Sequence, residues 1–465
     1  MPERIAIYGG SFNPPGLHHR QIVEFLSREF DRVIVVPCGP RPDKQTVNDV
    51  DSVHRAALVD IAFRGMERVE VDLFDLEQLA FSPTDELENR YASQGEIWHV
   101  IGSDLIKGGE ESFVHRQWRR GPEMWSQLRF AVLAQKGREV AGKDLPPNAK
   151  LLSIELTNDV ASSAIRERIF RRQSVNAMVE AAVASYIERY GLYRGRIPNR
   201  ATRFVPEKPR LSIFSDERNP RSVEIAKALN PWVDYQDPNL VVVIGGDGTM
   251  IRAIRKLWRR RLPFFGVNSG HLGFLLNGAV PEIVERFEPG ELTLYQLPML
   301  YVEMLGSDGV TRSALAFNDA WIERATSQAS WVKVQVNGRV RIPRLVSDGL
   351  LVSTAAGSNA YARSMGASPL LVDTPAWMLV GSNVMNPAGW KSALLGMDAT
   401  AEFTVENPAK RPVVGIIDGQ EFGEVTRMRV RMSRIAAIEL AFRAGHDMAE
   451  KTADVQFSQA RPVPH

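Results

Sequence analysis

The sequence predicts an α/β protein made of two successive parallel-sheet units, the second continued by a β-rich region. Three observations predict it. Apolar strand-like runs alternate with amphipathic helical patterns from the first residues onward. A glycine-rich turn follows a strand near the start of each unit, and from about Leu300 the apolar period shortens to two. At ~100–200 residues per domain, 465 residues suffice for about three domains, each large enough to bury its own core. With 57 Lys+Arg against 55 Asp+Glu, the net charge of +2 argues against a nucleic-acid coat or a membrane-surface binder. No apolar run approaches the ~20 residues that cross a bilayer, and Met1-Pro2-Glu3-Arg4-Ile5 leads straight into a strand, so neither a signal peptide nor an anchor is expected. The single cysteine, Cys38, cannot form an intramolecular disulfide, and a cytoplasmic location is the expectation.

In order along the chain, Ile5-Ala6-Ile7-Tyr8 reads as a strand, residues 9–15 as a turn, and Ile22, Val23, Phe25, Leu26 and Phe30 as one face of a helix. Further strand-like runs occupy residues 33–36, 97–101, 130–133 and 151–156. Residues 191–210 carry three prolines and six Lys/Arg against one acidic residue without apolar period, the pattern of a solvated linker. The α/β rhythm restarts at residues 211–214, and residues 240–244 form a continuous apolar run suited to a strand buried on both faces. Trp331-Val332-Lys333-Val334-Gln335-Val336 before Asn337-Gly338 predicts a hairpin, and Met428, Val430 and Met432 alternate with Arg427, Arg429 and Arg431 as in a strand. The tail after Asp454 reads as loosely ordered.

The first chemical constellation is Gly9-Gly10-Ser11-Phe12-Asn13-Pro14-Pro15-Gly16-Leu17-His18-His19. Glycines after a strand let a backbone approach a ligand closely, and the helix start that follows offers unpaired N–H groups to an anion. Alone the turn fits a structural strand exit as well as a phosphate site. Taken with Val160-Ala161-Ser162-Ser163-Ala164-Ile165-Arg166, it resembles the paired signatures of the nucleotidyltransferase superfamily. The closer similarity is to the nicotinamide or nicotinate mononucleotide adenylyltransferases: Gly102-Ser103-Asp104-Leu105 resembles their G-A/S-D-x-L element. Trp118, Lys44 and the pair His54-Arg55 also fall where that family has such residues. The resemblance implies a Rossmann-like nucleotidyltransferase fold over residues 1–193, with ATP and a pyridine mononucleotide as substrates. It implies that His19 and Arg166 stabilise triphosphate charge and that Gly9, Gly10, Ser11, Phe12, Asn13, His18, Lys44, Gly102, Ser162 and Ser163 bind the nucleotides. Asp104 would hold a ribose hydroxyl, and Trp118 would stack on the pyridine ring. Two departures stand out: Gly16 replaces a His or Thr of the family, with His18 as its candidate substitute, and the S-Y-T-x-D-T-L element is reduced to Phe81-Ser82-Pro83-Thr84-Asp85-Glu86-Leu87.

The second constellation is Ile244-Gly245-Gly246-Asp247-Gly248-Thr249, between a buried strand and a helical run. Three glycines around one carboxylate admit a polyphosphate and leave the acid at the carboxyl end of a strand, where open α/β sheets bind ligands. An aspartate that merely caps a helix is the simpler alternative. Several further motifs make the segment resemble NAD kinase. Asn268-Ser269-Gly270-His271-Leu272-Gly273-Phe274-Leu275 is similar to its N-x-G-x-L-G-F-L. Residues 347–366, from Ser347-Asp348-Gly349 to Ser364-Met365-Gly366, are similar to its D-G-x-x-x-x-T-P-T-G-S-T-A-Y-x-x-S-x-G block. Asn318-Asp319 sits where that family has Asn-Glu, and Ile417-Asp418-Gly419 resembles a late D-G element.

The resemblance implies an NAD-kinase-like α/β domain, residues 209–295 plus about 440–465, and a β-rich domain, residues 296–439, after a linker at 194–208. Asp247 becomes the general base for the 2′-hydroxyl of the adenosine ribose, which attacks the γ-phosphate of ATP. Gly245, Gly246, Gly248 and Thr249 would cradle phosphates, and Asn318 and Asp319 would grip a ribose or adenine. Asn268, Phe274, Thr354 and Tyr361 would line the nucleotide site, Asp348 would face the carboxamide, and Ser358, Ala360 and Ser364 would complete the wall. Here Asp319, Asn359 and the pair Ala355-Ala356 depart from the family's Glu, Thr and Pro-Thr. His271 reads as a variable position, and Arg259-Arg260-Arg261 as a solvated helix end.

Together the two halves imply a bifunctional enzyme that makes NAD from NMN and ATP with release of pyrophosphate, and then NADP. ATP enters with Mg²⁺, and no protein-held metal is expected. NMN is favoured over nicotinate mononucleotide because the kinase takes NAD, whereas the deamido product still needs amidation. The alternatives are an NAD kinase whose N-terminal domain is regulatory or specific for nicotinate mononucleotide, and a non-enzymatic pyridine-nucleotide sensor. The expected partners are small nucleotides, not nucleic acid or membrane, with homo-oligomerisation through the kinase half.

Overall fold

The computed structural model describes residues 2–41, 50–135, 140–157, 160–195, 201–206, 208–270, 273–278, 287, 290–443 and 451–452. Lys44, His271 and the tail after Asp454 therefore lie outside the described residues. The chain divides into two compact units, Met1–Pro198 and Asn199–His465. Among the described residues no helix is long and apolar enough to cross a membrane.

The first unit is built on six parallel strands: β1 (Arg4–Gly10), β2 (Arg32–Pro37), β3 (Val69–Val71), β4 (Glu96–Gly102), β5 (Phe130–Gln135) and β6 (Ala149–Ile154). Their order in the sheet is β3-β2-β1-β4-β5-β6, the doubly wound order whose direction reverses between β1 and β4. The crevice at that reversal opens at the carboxyl ends of β1 and β4, which finish in Gly9-Gly10 and Gly102, the end at which such sheets bind ligands. Strand β2 is a continuous run of buried apolar side chains, as a central parallel strand must be. Helix Leu17–Glu29 buries Ile22, Val23 and Leu26, and Phe30 just past its end is also buried. Helix Ala181–Tyr190 contributes Val183, Tyr186, Ile187 and Tyr190 to the same core.

In the second unit β7 (Ala201–Phe204) precedes β8 (Leu211–Ser215), β9 (Leu240–Gly245) and β10 (Phe264–Asn268). Strands β8, β9 and β10 are parallel, and every residue of β9 is buried. The β-rich part follows as β11 (Leu292–Gly306), β12 (Thr311–Ala316), β13 (Asp319–Arg324), β14 (Ser330–Val336), β15 (Arg339–Ser347), β16 (Gly349–Ser353), β17 (Ala376–Ser382), β18 (Ser392–Gly396), β19 (Thr400–Val405), β20 (Val413–Ile417) and β21 (Gln420–Arg443). The expected hairpin at Asn337-Gly338 joins β14 to β15, with both turn residues at positive φ.

Two features modify the expected organisation. Residues 201–204, within the segment read as a linker at 194–208, form β7 and pair antiparallel with β11 from Leu292↔Phe204 to Tyr295↔Ala201. Its polar composition hid the strand, because the ladder is supplied by a partner distant in sequence. The boundaries expected at 295/296 and 439/440 also fall inside continuous strands, since β11 and β21 pair with each other along most of their length. The parallel strand β10 hydrogen-bonds directly to β21 through Phe264↔Leu440, so one sheet runs through the α/β and β-rich parts alike.

Candidate active sites

In the first unit the turn after β1 is shaped by Phe12 and Asn13. Phe12 adopts φ 44° and buries its ring against Tyr8, His19 and Phe63. A Cβ at Gly10 would lie 2.9 Å from that ring, so glycine is required there. Helix Ser162–Phe170 closes on the turn from the other side. Ser162 Oγ donates to the Pro14 carbonyl at 2.8 Å, and Arg166 Nη1 donates to the Asn13 carbonyl at 2.7 Å. Two segments far apart in sequence thus meet around Asn13-Pro14-Pro15-Gly16, as the paired signatures anticipated. Ser163 is exposed at the same helix start.

His19 is held in one protonation form. Its Nδ1 accepts the Gly16 N–H at 3.0 Å, so the ring's own proton sits on Nε2. Burial, and secondarily His18, push its pKa down to about 3. His19 is therefore a neutral donor at physiological pH, one that offers its Nε2–H. The His18 ring lies 3.8 Å from that of His19, centroid to centroid. A Cβ at position 16 would fall 2.8 Å from His18 Nδ1 and 3.2 Å from Ile165 Cδ1. The imidazole of His18 thus occupies the space a side chain at residue 16 would enter.

Two supporting residues were not among the expected site residues. Arg55 is 2% exposed and donates through Nη2 to the carbonyls of Ser11, at 2.6 Å, and Cys38, at 2.8 Å, tying the exits of β1 and β2 together. Burial lowers its basicity. Tyr193 donates its hydroxyl to Asn13 Oδ1 at 2.7 Å. The pair His54-Arg55 was legible in sequence, but the role of each residue needed the fold: His54 Nδ1 meets the Tyr186 hydroxyl at 3.0 Å inside the core.

Across the crevice, Asp104 is exposed just past β4, and the carboxylate folds back over Gly102, whose Cβ would meet Oδ1 at 2.4 Å. Trp118 is half-buried at the end of helix Phe113–Gln117 and packs with Leu105 on a cluster around Ile101 and Ile106. Its neighbour Arg119 donates to Asp85 at 2.8 Å and Glu86 at 3.0 Å, which links the Trp118 segment to the reduced element at 81–87. Ser82 of that element is itself fixed, donating its N–H and Oγ to the buried Asp75 at 2.9 and 2.6 Å.

In the second unit the turn after β9 opens helix Asp247–Leu257 with Gly246 as its N-cap. Gly246 and Gly248 face open space, whereas a Cβ at Gly245 would lie 2.5 Å from Thr249 Oγ1. Thr249 is buried and its hydroxyl accepts from Arg252 at 3.1 Å, so its side chain packs the turn while the glycines present backbone outward. The carboxylate of Asp247 is half-buried and fixed by two amides: Oδ2 accepts the Phe274 N–H at 3.0 Å and Oδ1 the Leu275 N–H at 2.9 Å. Each oxygen keeps a second lone pair. Asn268 lies opposite Gly245 in the β9–β10 ladder, and its Oδ1 accepts the Gly270 N–H at 2.8 Å.

The segment carrying Asn318 and Asp319 is braced by Asp418, whose carboxylate accepts the N–H groups of Phe317 at 2.7 Å, Asn318 at 2.8 Å and Asp319 at 3.2 Å. Arg255, two turns along the Asp247 helix, donates to the Asp418 carbonyl at 3.2 Å. Met250, Leu275, Phe317 and Ala356 share one apolar cluster. The Asp247 helix and the segments carrying Phe317 and Ala356 are thereby packed together. Burial, then the neighbouring Asp418, push Asp319 up to about 7. Burial also raises Asp418, against the three N–H donors and Arg255, which lower it. Asn318 Oδ1, Asn359 Oδ1 and Trp321 Nε1 are buried and have no hydrogen-bond partner among the described residues. Trp321, which the sequence did not single out, lies with its ring 5.0 Å from the Tyr361 ring, tilted at 57° to it.

Other expected wall residues lie differently. Thr354 and Ser358 are buried and face inward: Thr354 Oγ1 donates to the Phe317 carbonyl at 2.8 Å and accepts the Gly357 N–H at 3.0 Å, and Ser358 Oγ donates to the Ala355 carbonyl at 2.6 Å. They hold the loop's shape. Ala360 and Ser364 are exposed, the Ser364 hydroxyl donating to the Tyr361 carbonyl. Asp348 is not gathered with the rest. It sits at the opposite end of β16 from Thr354, roughly 20 Å along an extended strand, paired with Arg324 at 2.7 Å and Asn383 at 2.7 Å.

Comparison with known proteins relates each of the two units to a family. The family model of the ATP-NAD kinase N-terminal domain matches residues 194–287, and the cytidylyltransferase-like model matches residues 7–168. The NAD kinase of Rickettsia bellii (strain OSU 85-389) is 33% identical over 243 residues, covering 52% of this chain and 94% of that protein. The NAD kinase of Rickettsia felis (strain ATCC VR-1525 / URRWXCal2) is 34% identical over 236 residues, covering 50% and 92%. Among solved structures, yeast NADH kinase complexed with NADH shares the fold at a TM-score of 0.50 and 15% identity, covering 57% of this chain and 92% of that one. The chain belongs to the NAD kinase family, and it carries a cytidylyltransferase-like domain ahead of the kinase.

Proposed function

We propose that this chain makes NAD from NMN and ATP in its first unit and phosphorylates NAD to NADP in its second. The observation that carries the reading is the fixed carboxylate of Asp247, held by the Phe274 and Leu275 amides at the exit of β9. With Oδ1 and Oδ2 each anchored by one N–H, their remaining lone pairs accept the ribose 2′-hydroxyl and its proton. The hydroxyl oxygen bonds to the γ-phosphorus of ATP, and ADP leaves. Gly246 and Gly248 admit the phosphates, while Asn318, Asp319, Trp321 and Tyr361 receive the nucleoside.

The first reaction needs no protein nucleophile. A 5′-phosphate oxygen of NMN attacks the α-phosphorus of ATP in line, and pyrophosphate leaves. His19 offers a neutral Nε2–H to the triphosphate, and Arg166 supplies positive charge from the end of the turn it braces. Asp104 and Trp118 stand across the crevice, where the ribose and pyridine ring of the mononucleotide fit. Mg²⁺ enters with ATP as part of the substrate. The reading includes self-association through the kinase half. It is supported by edge strand β18, which exposes Leu394, and molar mass by light scattering checks it.

The test feeds purified protein NMN, excess ATP and Mg²⁺, and resolves NAD and NADP by mass over time. NAD is expected first and NADP after it. A parallel arm supplies nicotinate mononucleotide. Turnover of that substrate with none of NMN would overturn the substrate assignment, and NADP formation only from supplied NAD would leave the first unit a regulatory domain.

A further inference from the structure

We infer that Lys451 is a positioning residue for phosphoryl transfer, acting on Asp247 through two shared peptide units. The inference rests on the kinase reading above. The peptide joining Gly273 to Phe274 presents its carbonyl to Lys451 Nζ at 3.3 Å and its N–H to Asp247 Oδ2 at 3.0 Å. The next peptide, joining Phe274 to Leu275, presents its carbonyl to Nζ at 3.4 Å and its N–H to Oδ1 at 2.9 Å. Lys451 Nζ also donates to the Leu276 carbonyl. The ammonium thus meets three carbonyls of one loop, those of Gly273, Phe274 and Leu276, and the cation and the carboxylate grip opposite ends of the same two amides.

A cation at the carbonyl end of a peptide polarises its N–H into a stronger donor, and aligned hydrogen bonds reinforce one another. Both peptides point the same way, so the two effects add at the one side chain proposed to take the ribose proton. The arrangement also fixes Asp247 in space. Without the ammonium, three loop carbonyls lose a donor and the two amides are free to turn. The lysine is itself held: the adjacent Thr452 is fully buried, its Oγ1 accepts from Asn359 Nδ2 at 3.4 Å, and Lys451 Nζ lies 5.4 Å from the Phe442 ring. The contact is independent of the sequence motifs, in which Lys451 takes no part.

The experiment compares the full-length parent with Lys451→Met and Lys451→Arg, measuring kcat and KM for ATP and NAD in NADP formation, together with thermal midpoints and the adenylyl-transfer rate. The expected result for Lys451→Met is a kcat lower by about a hundredfold, the scale of a small misplacement at a reacting group, with both KM values changed less than about twofold and adenylyl transfer unchanged. Lys451→Arg keeps the positive charge and is expected to recover kcat to within about tenfold of the parent. An unchanged kcat in Lys451→Met, or a loss confined to KM, overturns the inference. Should Lys451→Met fail to fold, Lys451→Arg decides alone: a parental melting temperature with kcat as low as about a hundredth of the parent's also overturns it. A parent that forms no NADP at all refutes the kinase reading first, and is thereby distinguishable.

Discussion

Asp319 donates its backbone N–H to Asp418 Oδ1 at 3.2 Å while its own carboxyl group is buried beside that same carboxylate. Burial, with Asp418 second, lifts Asp319 to about 7. An unfolded aspartate titrates near about 4, so between about pH 4 and pH 7 the native state holds a proton that the unfolded chain has released. Stability therefore falls as pH rises through this window and is level above it. Asp319→Asn removes the titration. Its melting temperature should exceed the parent's by a few degrees at pH 8 and by much less at pH 5, as read by calorimetry at the two pH values. An equal shift at both would refute the assignment.

The first unit yields a test of crowding at residue 16. Gly16 has φ −93°, a backbone any residue adopts, so only space limits substitution there. Gly16→Ala should fold and lower adenylyl transfer about three- to tenfold, because its Cβ displaces the His18 ring that packs against His19. In the double variant Gly16→Ala/His18→Ala the alanine should cost nothing beyond the effect of His18→Ala alone. Purely additive effects would show that the two positions do not share this space.

His19 should act through its Nε2–H rather than through charge. His19→Ala is expected to lower adenylyl transfer by about 10²–10³, the scale of one lost donor to a developing charge, and to leave NADP formation from supplied NAD intact. The pH–rate profile of the parent should show no step from His19 between pH 5 and 8, since that group titrates near 3. The check is the profile of His19→Asn, whose limbs should match the parent's over that range. A limb present only in the parent would mean that His19 works as a cation.

What was legible in the sequence was whatever is local or contiguous. The glycine turns, the carboxylate among them and the alternation of strands and helices all lie within a few residues of each other, and period and spacing carry them directly. What was not legible depends on partners distant along the chain. Asp418 was visible as a late Asp-Gly element, but its grip on residues 317–319 arises from the β13–β20 pairing. Arg55, Tyr193, Trp321 and Lys451 act through contacts that no local pattern marks. Thr354 and Ser358 match a motif, yet their hydroxyls donate to the backbone carbonyls of Phe317 and Ala355, since buried backbone carbonyls must be satisfied before a side chain can serve a ligand. The protonation of His19 depends on burial, which sequence spacing does not encode.

The most direct measurement is the product spectrum of Asp247→Asn given NMN, ATP and Mg²⁺. The amide side chain keeps the size of the carboxylate but cannot take the 2′-hydroxyl proton. NAD should accumulate at the parental rate while NADP formation falls by about 10²–10⁴, the range of a lost general base. NADP appearing within tenfold of the parental rate would contradict the role given to Asp247 and with it the account of the second site.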